Sequence, residues 1–127
     1  MNENTATKSA RAVLQAHIDA LNAHDEARLG ETLHFPHFRL SGAELKVWET
    51  PESYFGDFRK RAGSQWVRSE FENVKVLQTS DEKVHLGVEV VRYSQDGSVI
   101  DRFSSLWVIT LEQGIWAAKI RSSFAAI

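Results

Sequence analysis

The fold of this chain is decided by one stretch, Lys83–Phe124, with the sequence KVHLGVEVVRYSQDGSVIDRFSSLWVITLEQGIWAAKIRSSF. Polar and apolar residues alternate along it in three runs, which predicts three consecutive antiparallel strands. The runs are separated by Asp96-Gly97 and by Gln113-Gly114. Each pair supplies a glycine that tolerates the positive φ of a tight hairpin turn, so two two-residue hairpin loops are predicted.

These two turns fix which side chains share a face of the sheet, because a slip of one residue exchanges the faces. The predicted apolar face contains Val84, Leu86, Val88, Val90, Phe103, Trp107, Ile109, Trp116, Ile120 and Phe124. The predicted mixed face contains His85, Glu89, Tyr93, Arg102, Ser104, Leu106, Val108, Lys119, Arg121 and Ser123. In this register Trp107 neighbours Leu86 and Ile120, and Glu89 neighbours Ser104. The apolar face needs a cover, which predicts helices packed against it.

The earlier part of the chain supplies those helices. Apolar positions recur at spacings of three and four along residues 10–21, which predicts an amphipathic helix capped by Thr7 or Ser9. Asp25 is the predicted cap of a second, shorter helix, and Thr50 followed by proline begins a third. The predicted order is helix, helix, short hairpin, helix and then four long strands. This is an α+β plan with helices on one face of a curved antiparallel sheet.

Composition narrows the class of protein further. The 127 residues are expected to form one domain, 1–127, with 15 basic and 17 acidic residues and a net charge of -2. Such a balance predicts no nucleic-acid partner and no membrane partner, and no apolar run approaches the ~18 residues of a membrane span. The chain has no cysteine, which excludes disulfides and thiolate metal sites and leads us to expect a cytoplasmic protein.

Three local stretches resemble the nuclear transport factor 2-like superfamily. They are the helix junction ALNAHD at residues 20–25, the segment HFPHFRLSG at residues 34–42, and the pattern LWV, GIW and RSSF within residues 106–124. The superfamily includes ketosteroid isomerase, scytalone dehydratase and SnoaL-like polyketide cyclases, and the last two stretches resemble a branch of it without an assigned activity. The resemblance implies a cone-shaped α+β barrel of the cystatin-like type. It does not imply one function, because this fold hosts enzymes, carriers and dimerisation modules.

The resemblance to ketosteroid isomerases places His17 where those enzymes keep an oxyanion-hole tyrosine. It places Arg39 at or next to their catalytic aspartate, and Ser105 near their second oxyanion-hole acid. Proton abstraction beside a carbonyl needs a base at the carbon acid, and arginine cannot serve as one. We therefore expect no ketosteroid isomerisation, whereas hydro-lyase or other isomerase chemistry stays open.

Five polar residues are candidates for a site. His17 lies on the inward stripe of the first helix. It is either a catalytic group or a residue with a structural hydrogen bond. Arg92 and Asp101 face each other across a strand pair, either as polar groups at a pocket rim or as a simple ion pair. His34 and His37 offer only two ligands where a metal needs three or four, so no metal and no cofactor are expected.

A cone of this kind leaves a cavity between the sheet and the helices. Aromatic residues around it would favour a small apolar or aromatic ligand. The predicted lining is Trp48, Tyr54, Trp66, Phe103, Ser105 and Trp107. The alternative is that these residues are only core.

The mixed face is predicted to pair with a second copy of the chain, as it does in relatives. The expected contacts are Glu89, Arg102, Ser104, Arg121 and Ser123. The alternative is a solvated face. Two hypotheses therefore remain from sequence: a small-molecule pocket protein, with hydro-lyase or isomerase activity as an option, and a non-catalytic homodimeric module.

Overall fold

The computed structural model describes residues 4–125. Three helices precede or interrupt the sheet: α1 (Thr5–Asn22), α2 (Glu26–Gly30) and α3 (Pro51–Ala62). The strands are β1 (Leu33–Ser41), β2 (Glu44–Trp48), β3 (Trp66–Thr79), β4 (Lys83–Ser94), β5 (Val99–Glu112) and β6 (Ile115–Ser123). They form one six-stranded sheet in the order β2-β1-β6-β5-β4-β3. The predicted α+β order is confirmed, except that β1 pairs with β6 in parallel.

Each helix begins at a side chain that caps it. Asn4 caps α1 by accepting a hydrogen bond from the Thr7 amide, so the cap lies before both predicted positions. Asp25 caps α2 as predicted. Thr50 caps α3 and forms a reciprocal capping box with Ser53, which satisfies two backbone donors at once. No helix in residues 4–125 is long and apolar enough to cross a membrane.

The helices cover one face of the sheet, called the inner face here; the opposite face is the outer face. The inward side of α1 and the aromatic side of α3 share one buried core with the inner residues of the strands. Each fully buried large apolar side chain in it contributes about 1.5–3 kcal/mol relative to exposure. The largest of these are Leu29, Tyr54, Phe55, Leu86, Trp107 and Ile109.

The register between β4 and β5 is the predicted one. Leu86 pairs with Trp107, and Glu89 pairs with Ser104. A register shift does occur beside the loop, after the pair of Arg92 with Asp101, but it leaves the rest of the ladder unchanged. Both predicted faces of this hairpin are therefore confirmed.

The register between β5 and β6 departs from the prediction halfway along. The turn is as expected, with positive φ at Gln113 and Gly114, and the first rungs follow it. After the pair of Ile109 with Ala118, however, Val108 pairs with Ile120. Lys119 is thus an extra residue in β6, a β-bulge, and everything beyond it changes face.

The bulge overturns four face assignments. Arg121 and Ser123, predicted on the mixed face, are buried on the inner face, and Arg121 rather than Ile120 pairs with Trp107. Ile120 and Phe124, predicted on the apolar face, are 41% and 78% exposed. The physical reason is that a single inserted residue reverses the alternation of side chains for the remainder of a strand.

Candidate functional site

A small cavity lies between α1, α3 and the inner face of the sheet. Its free volume is about 30 Å³, which is room for about one water molecule. Residues from seven of the nine elements line it: His17, Ile18, Leu21, Arg39, Tyr54, Phe58, Ser69, Phe71, Val90, Arg92, Phe103, Ser105, Trp107, Arg121 and Ser123.

The cavity brings together most of the residues predicted for it: His17, Arg92, Tyr54, Phe103, Ser105 and Trp107. Trp48 and Trp66 are buried beside it rather than in its lining, because Trp48 stacks on His37 and Trp66 donates its indole N–H to Ser69. Asp101 lies behind the lining, with its carboxylate 3.6 Å from the Arg92 guanidinium.

Two rows of polar residues cross the inner face at this cavity. In one row Arg39 on β1 pairs with Arg121 on β6, which pairs with Trp107 on β5. Ser41, Ser123 and Ser105 form the next row. These hydroxyl groups are committed to the backbone: Ser105 Oγ donates to Ser122 O, and Ser123 Oγ accepts from the Ala125 amide.

The guanidinium groups lie against aromatic rings. Arg121 Cζ is 5.0 Å from the centre of the Trp107 ring and 5.1 Å from that of Tyr54. Arg92 Cζ is 4.7 Å from the centre of the Phe103 ring. Such cation–π contacts stabilise a partly desolvated cation. Three arginines therefore line the cavity, and none of the described residues lining it is acidic.

His17 is held in one neutral tautomer. The Thr32 hydroxyl lies 2.7 Å from the Leu29 carbonyl, to which it donates, so it accepts from His17 Nδ1–H at 2.9 Å. The lone pair of the neutral ring is then on Nε2. Burial lowers the pKa of His17 well below its ordinary value, and the charge of Arg121 and the nearby His37 lower it further. His17 is therefore uncharged near neutral pH.

The two other histidines of the β1 segment also have hydrogen-bond roles. His37 Nδ1 is 3.0 Å from the Ala118 carbonyl, and His34 Nε2 is 3.0 Å from the Thr110 carbonyl. Because a carbonyl only accepts, both nitrogens carry hydrogen in these bonds. Within residues 4–125 no three side chains of the metal-ligating types come together.

Sequence reasoning missed Arg39 and Arg121 as cavity residues. For Arg39 the sequence signal was alternation: His37, Arg39 and Ser41 fall on one face of strand β1. The structure buries all three side chains. For Arg121 the bulge at Lys119 hid it, because a regular ladder places it outside.

The outer face carries apolar rows where the inner face carries polar ones. Pairing across β2, β1, β6 and β5 aligns Val47, Phe38, Ile120 and Val108 in one row. The next row is Leu45, Leu40, Ser122 and Leu106. Beside these rows Arg102 Nη1 lies 2.8 Å from Glu72 and 3.3 Å from Glu89. The ion network expected on this face therefore contains Arg102 and Glu89, with Glu72 in place of Arg121.

No family model matches the chain, and no curated protein matches it in sequence. Its structure is similar to that of a protein of unknown function with a cystatin-like fold from Nostoc punctiforme, with 9% identity and a TM-score of 0.77 over 99% of this chain and 96% of that chain. It is also similar to a nuclear transport factor 2-like protein from Cytophaga hutchinsonii, with 15% identity and a TM-score of 0.73 over 99% and 100%.

A third similar structure is the association domain of CaMKII from C. elegans, with 14% identity and a TM-score of 0.70 over 93% of this chain and 94% of that domain. Identities this low show a shared fold and nothing about activity. The chain therefore has the cystatin-like, nuclear transport factor 2-like fold, with the cone-shaped α+β architecture that the family resemblance implied.

Proposed function

We propose that this protein binds a small organic molecule in the cavity between α1, α3 and the sheet. The observation that carries the proposal is convergence: three arginines, a neutral histidine and several aromatic rings from separate elements meet at one enclosed space. Ligand sites combine apolar walls with a few placed polar groups in this way.

The arrangement favours binding over proton-transfer catalysis. A hydro-lyase or isomerase reaction here would need His17 Nε2 as its base, because the described lining holds no carboxylate. A general base works best when its pKa lies near the working pH. The lowered pKa of His17 keeps the ring neutral but makes it a weak base. Ketosteroid isomerisation has no base at Arg39, and we do not propose it.

The test is a pair of phenylalanine variants. The purified protein is denatured, and mass spectrometry identifies and quantifies any small molecule released. His17→Phe roughly keeps the side-chain volume and removes the cavity lone pair, so we expect the bound molecule to be lost while the circular dichroism spectrum is kept. His34→Phe, outside the cavity, is the matched control and should retain it. If His17→Phe keeps its ligand and loses only about 1–3 kcal/mol of stability, His17 is a structural donor.

A second property, homodimerisation through the outer face, is favoured by the apolar rows on that face. Leu40, Leu45, Val47 and Ile120 are each at least 40% exposed, and they lie on adjacent strands. Contiguous exposed apolar surface of this kind marks association sites. A neighbour of the same fold is itself an association domain. We propose that Ile120 and its row form the centre of the interface, with Arg102, Glu89 and Ser104 at its side.

Sedimentation velocity at micromolar concentration tests this interface. The wild-type chain should sediment as a dimer, and Ile120→Glu should sediment as a monomer because it buries a carboxylate in an apolar contact. Ile115→Glu is the matched control: the residue is 58% exposed on the same strand but lies at the turn. A monomeric wild type, or equal effects of both variants, contradicts the interface.

We further propose that residues 1–127 act as one domain in the cytoplasm. One shared core across helices and strands supports the first statement, and the lack of cysteine supports the second. A single cooperative unfolding transition would support the one-domain statement. Recovery of the protein in the soluble fraction of lysed cells, after removal of membranes and periplasm, would support the cytoplasmic one.

A further inference from the structure

We propose that Thr32 is a positioning residue for the cavity: it fixes the tautomer of His17, so that the cavity presents a hydrogen-bond acceptor and takes a hydroxyl group as the donor. This inference rests on the proposed function, since it names the chemical group that meets His17 there. Three features support it: the two hydrogen bonds of the Thr32 hydroxyl, the placement of the two ring nitrogens and the size of the space.

The Thr32 hydroxyl has one hydrogen, and the Leu29 carbonyl takes it. The two oxygens are 2.7 Å apart, a distance at which they repel each other unless a hydrogen lies between them. A carbonyl has no hydrogen, so the threonine is the donor. Toward His17 Nδ1, at 2.9 Å, the same hydroxyl oxygen can then only accept. The hydrogen of the neutral ring therefore lies on Nδ1.

The backbone of Thr32 is held from two sides. The residue is 5% exposed and lies between α2 and β1. Its amide donates to the Leu29 carbonyl at 3.0 Å, and its carbonyl accepts from the Ala118 amide on β6 at 2.9 Å. The hydroxyl that accepts from His17 is thus carried by a backbone that two other elements fix in place.

The other ring nitrogen of His17, Nε2, belongs to the cavity. His17 lines the cavity, whereas Thr32, the partner of Nδ1, lies outside the lining. Within residues 4–125 the hydrogen bond at Nδ1 is the one that His17 makes. Its other neighbours are the rings of Trp107, Tyr54 and Phe71, with centres 4.9, 6.2 and 6.4 Å away. The lone pair on Nε2 is therefore an acceptor that the cavity offers to an occupant.

The acceptor persists because the ring stays neutral. A doubly protonated imidazole has two N–H donors and no acceptor. Burial lowers the pKa of His17, and the charge of Arg121 and the nearby His37 lower it further. Near neutral pH the hydrogen on Nδ1 is thus the only one on the ring nitrogens.

The size of the cavity selects a small donor. Its free volume of about 30 Å³ is room for about one water molecule, which is also the size of a single hydroxyl group. Carbonyl and carboxylate oxygens have no hydrogen to donate, so they would leave the buried acceptor without a partner, and the site discriminates against them. Two sources supply a suitable O–H group: a water molecule and a hydroxyl of the bound molecule.

NMR at pH 7.5 measures the tautomer through two-bond correlations between the ring hydrogens and the ring nitrogens of His17, whose signals are absent from His17→Phe. We expect the hydrogen on Nδ1 in the wild type. Thr32→Val keeps the shape and removes the acceptor, so the hydrogen should move to Nε2, because the hydrogen bond at one nitrogen decides the tautomer. Thr32→Ser should restore the wild-type pattern. Thr7→Val, at a buried threonine outside the lining, is the matched control and should leave the pattern unchanged.

The source of the O–H group is measured on the same proteins. A hydroxyl-bearing molecule that the denatured wild type and Thr32→Ser release, and that Thr32→Val releases at least about tenfold less, identifies the bound molecule as the source. A nuclear Overhauser effect from water to the His17 ring, together with the expected tautomers, identifies water as the source.

Contrary results separate the parts of the proposal. A wild-type ring with its hydrogen on Nε2 overturns the assignment, whether or not any variant folds. An unchanged tautomer in Thr32→Val, or the same change in Thr32→Ser, overturns the role of Thr32. A released molecule without a hydrogen-bond donor, or neither a water signal nor a released molecule, overturns the hydroxyl assignment. The broader proposal fails separately, when water is found at His17 and no small molecule is released.

Discussion

The hairpins β4–β5 and β5–β6 share a strand, yet only the first keeps its predicted register from Lys83 to Arg92, with a shift confined to the residues beside its loop. In β4–β5 the alternation of the sequence alone sorts the side chains correctly. In β5–β6 the bulge at Lys119 reverses that sorting, so that Ile120 faces outward and Arg121 faces the cavity. The polarity of Ile120 and Arg121 therefore does not decide which face of the sheet each occupies. The extra residue in β6, Lys119, decides it.

The bulge places a charged residue on the inner face of the sheet and an apolar residue on the outer face. Without the bulge, Ile120 would pack on Trp107 in an ordinary apolar core, and Arg121 would lie in solvent. With it, the cavity gains a guanidinium beside Arg39, and the outer face gains an apolar residue in line with Phe38 and Val108. Bulges next to sites often serve to re-aim a side chain. One inserted residue thus supports the proposed ligand site and the proposed interface together.

The largest expected effect compares neighbouring positions on the two faces of β5. Trp107→Ala should lower the free energy of unfolding by about 3–5 kcal/mol, because the indole is buried against the helices. Val108→Ala, one residue away on the outer face, should cost less than about 1 kcal/mol. Urea unfolding measures both values. Similar losses from the two variants would mean that the faces do not differ as described.

The next effect tests the bulge directly. Deletion of Lys119 should make the β5–β6 ladder regular, forcing Ile120 into the cavity and Arg121 out of it. We expect the small molecule that the denatured wild-type protein releases to be lost and stability to fall by about 1–3 kcal/mol from overpacking. Lys119→Ala keeps the residue count and should change stability by no more than about 0.5 kcal/mol. Retained binding in the deletion variant would show that the bulge does not position Arg121.

The difference between the two hairpins also shows which features of the structure could be predicted from the sequence. Helix positions, the order of helices and strands along the chain, and the β4–β5 register follow from local alternation and turn residues, and the structure confirms them. The cavity residues on those elements, His17 and Trp107 among them, were predictable for that reason. The bulge was not, because Lys119 carries no local sequence signal such as a strand glycine. The parallel pairing of β1 with β6 was also missed, and it is what brings Arg39 beside Arg121.

A smaller effect separates the arginines of the two faces. Arg102→Glu places a third carboxylate beside Glu72 and Glu89, and it should raise the dissociation constant of the dimer about tenfold through like-charge repulsion. Arg121→Glu, whose side chain faces the cavity, should leave association unchanged, in contrast to what the regular register predicts. Sedimentation equilibrium measures both. Weaker association of the Arg121 variant alone would return that residue to the interface.

The smallest effect concerns the titration of His17. Its folded pKa lies well below the ordinary 6.5 because of burial and of the charge of Arg121, with a contribution from His37. The unfolded chain therefore binds a proton first as pH falls, so the stability that His17 contributes is present above pH 6.5 and is lost below it. Between pH 7 and pH 6 this amounts to about 0.7 kcal/mol for an unfolded pKa of about 6.5. We expect the loss in the wild type to exceed that in His17→Phe by this amount, measured by urea unfolding at both pH values, because only the wild type has the His17 ring. Equal losses would mean that His17 takes up a proton in the folded protein as readily as in the unfolded one, and the neutral tautomer that donates to Thr32 would no longer describe the site.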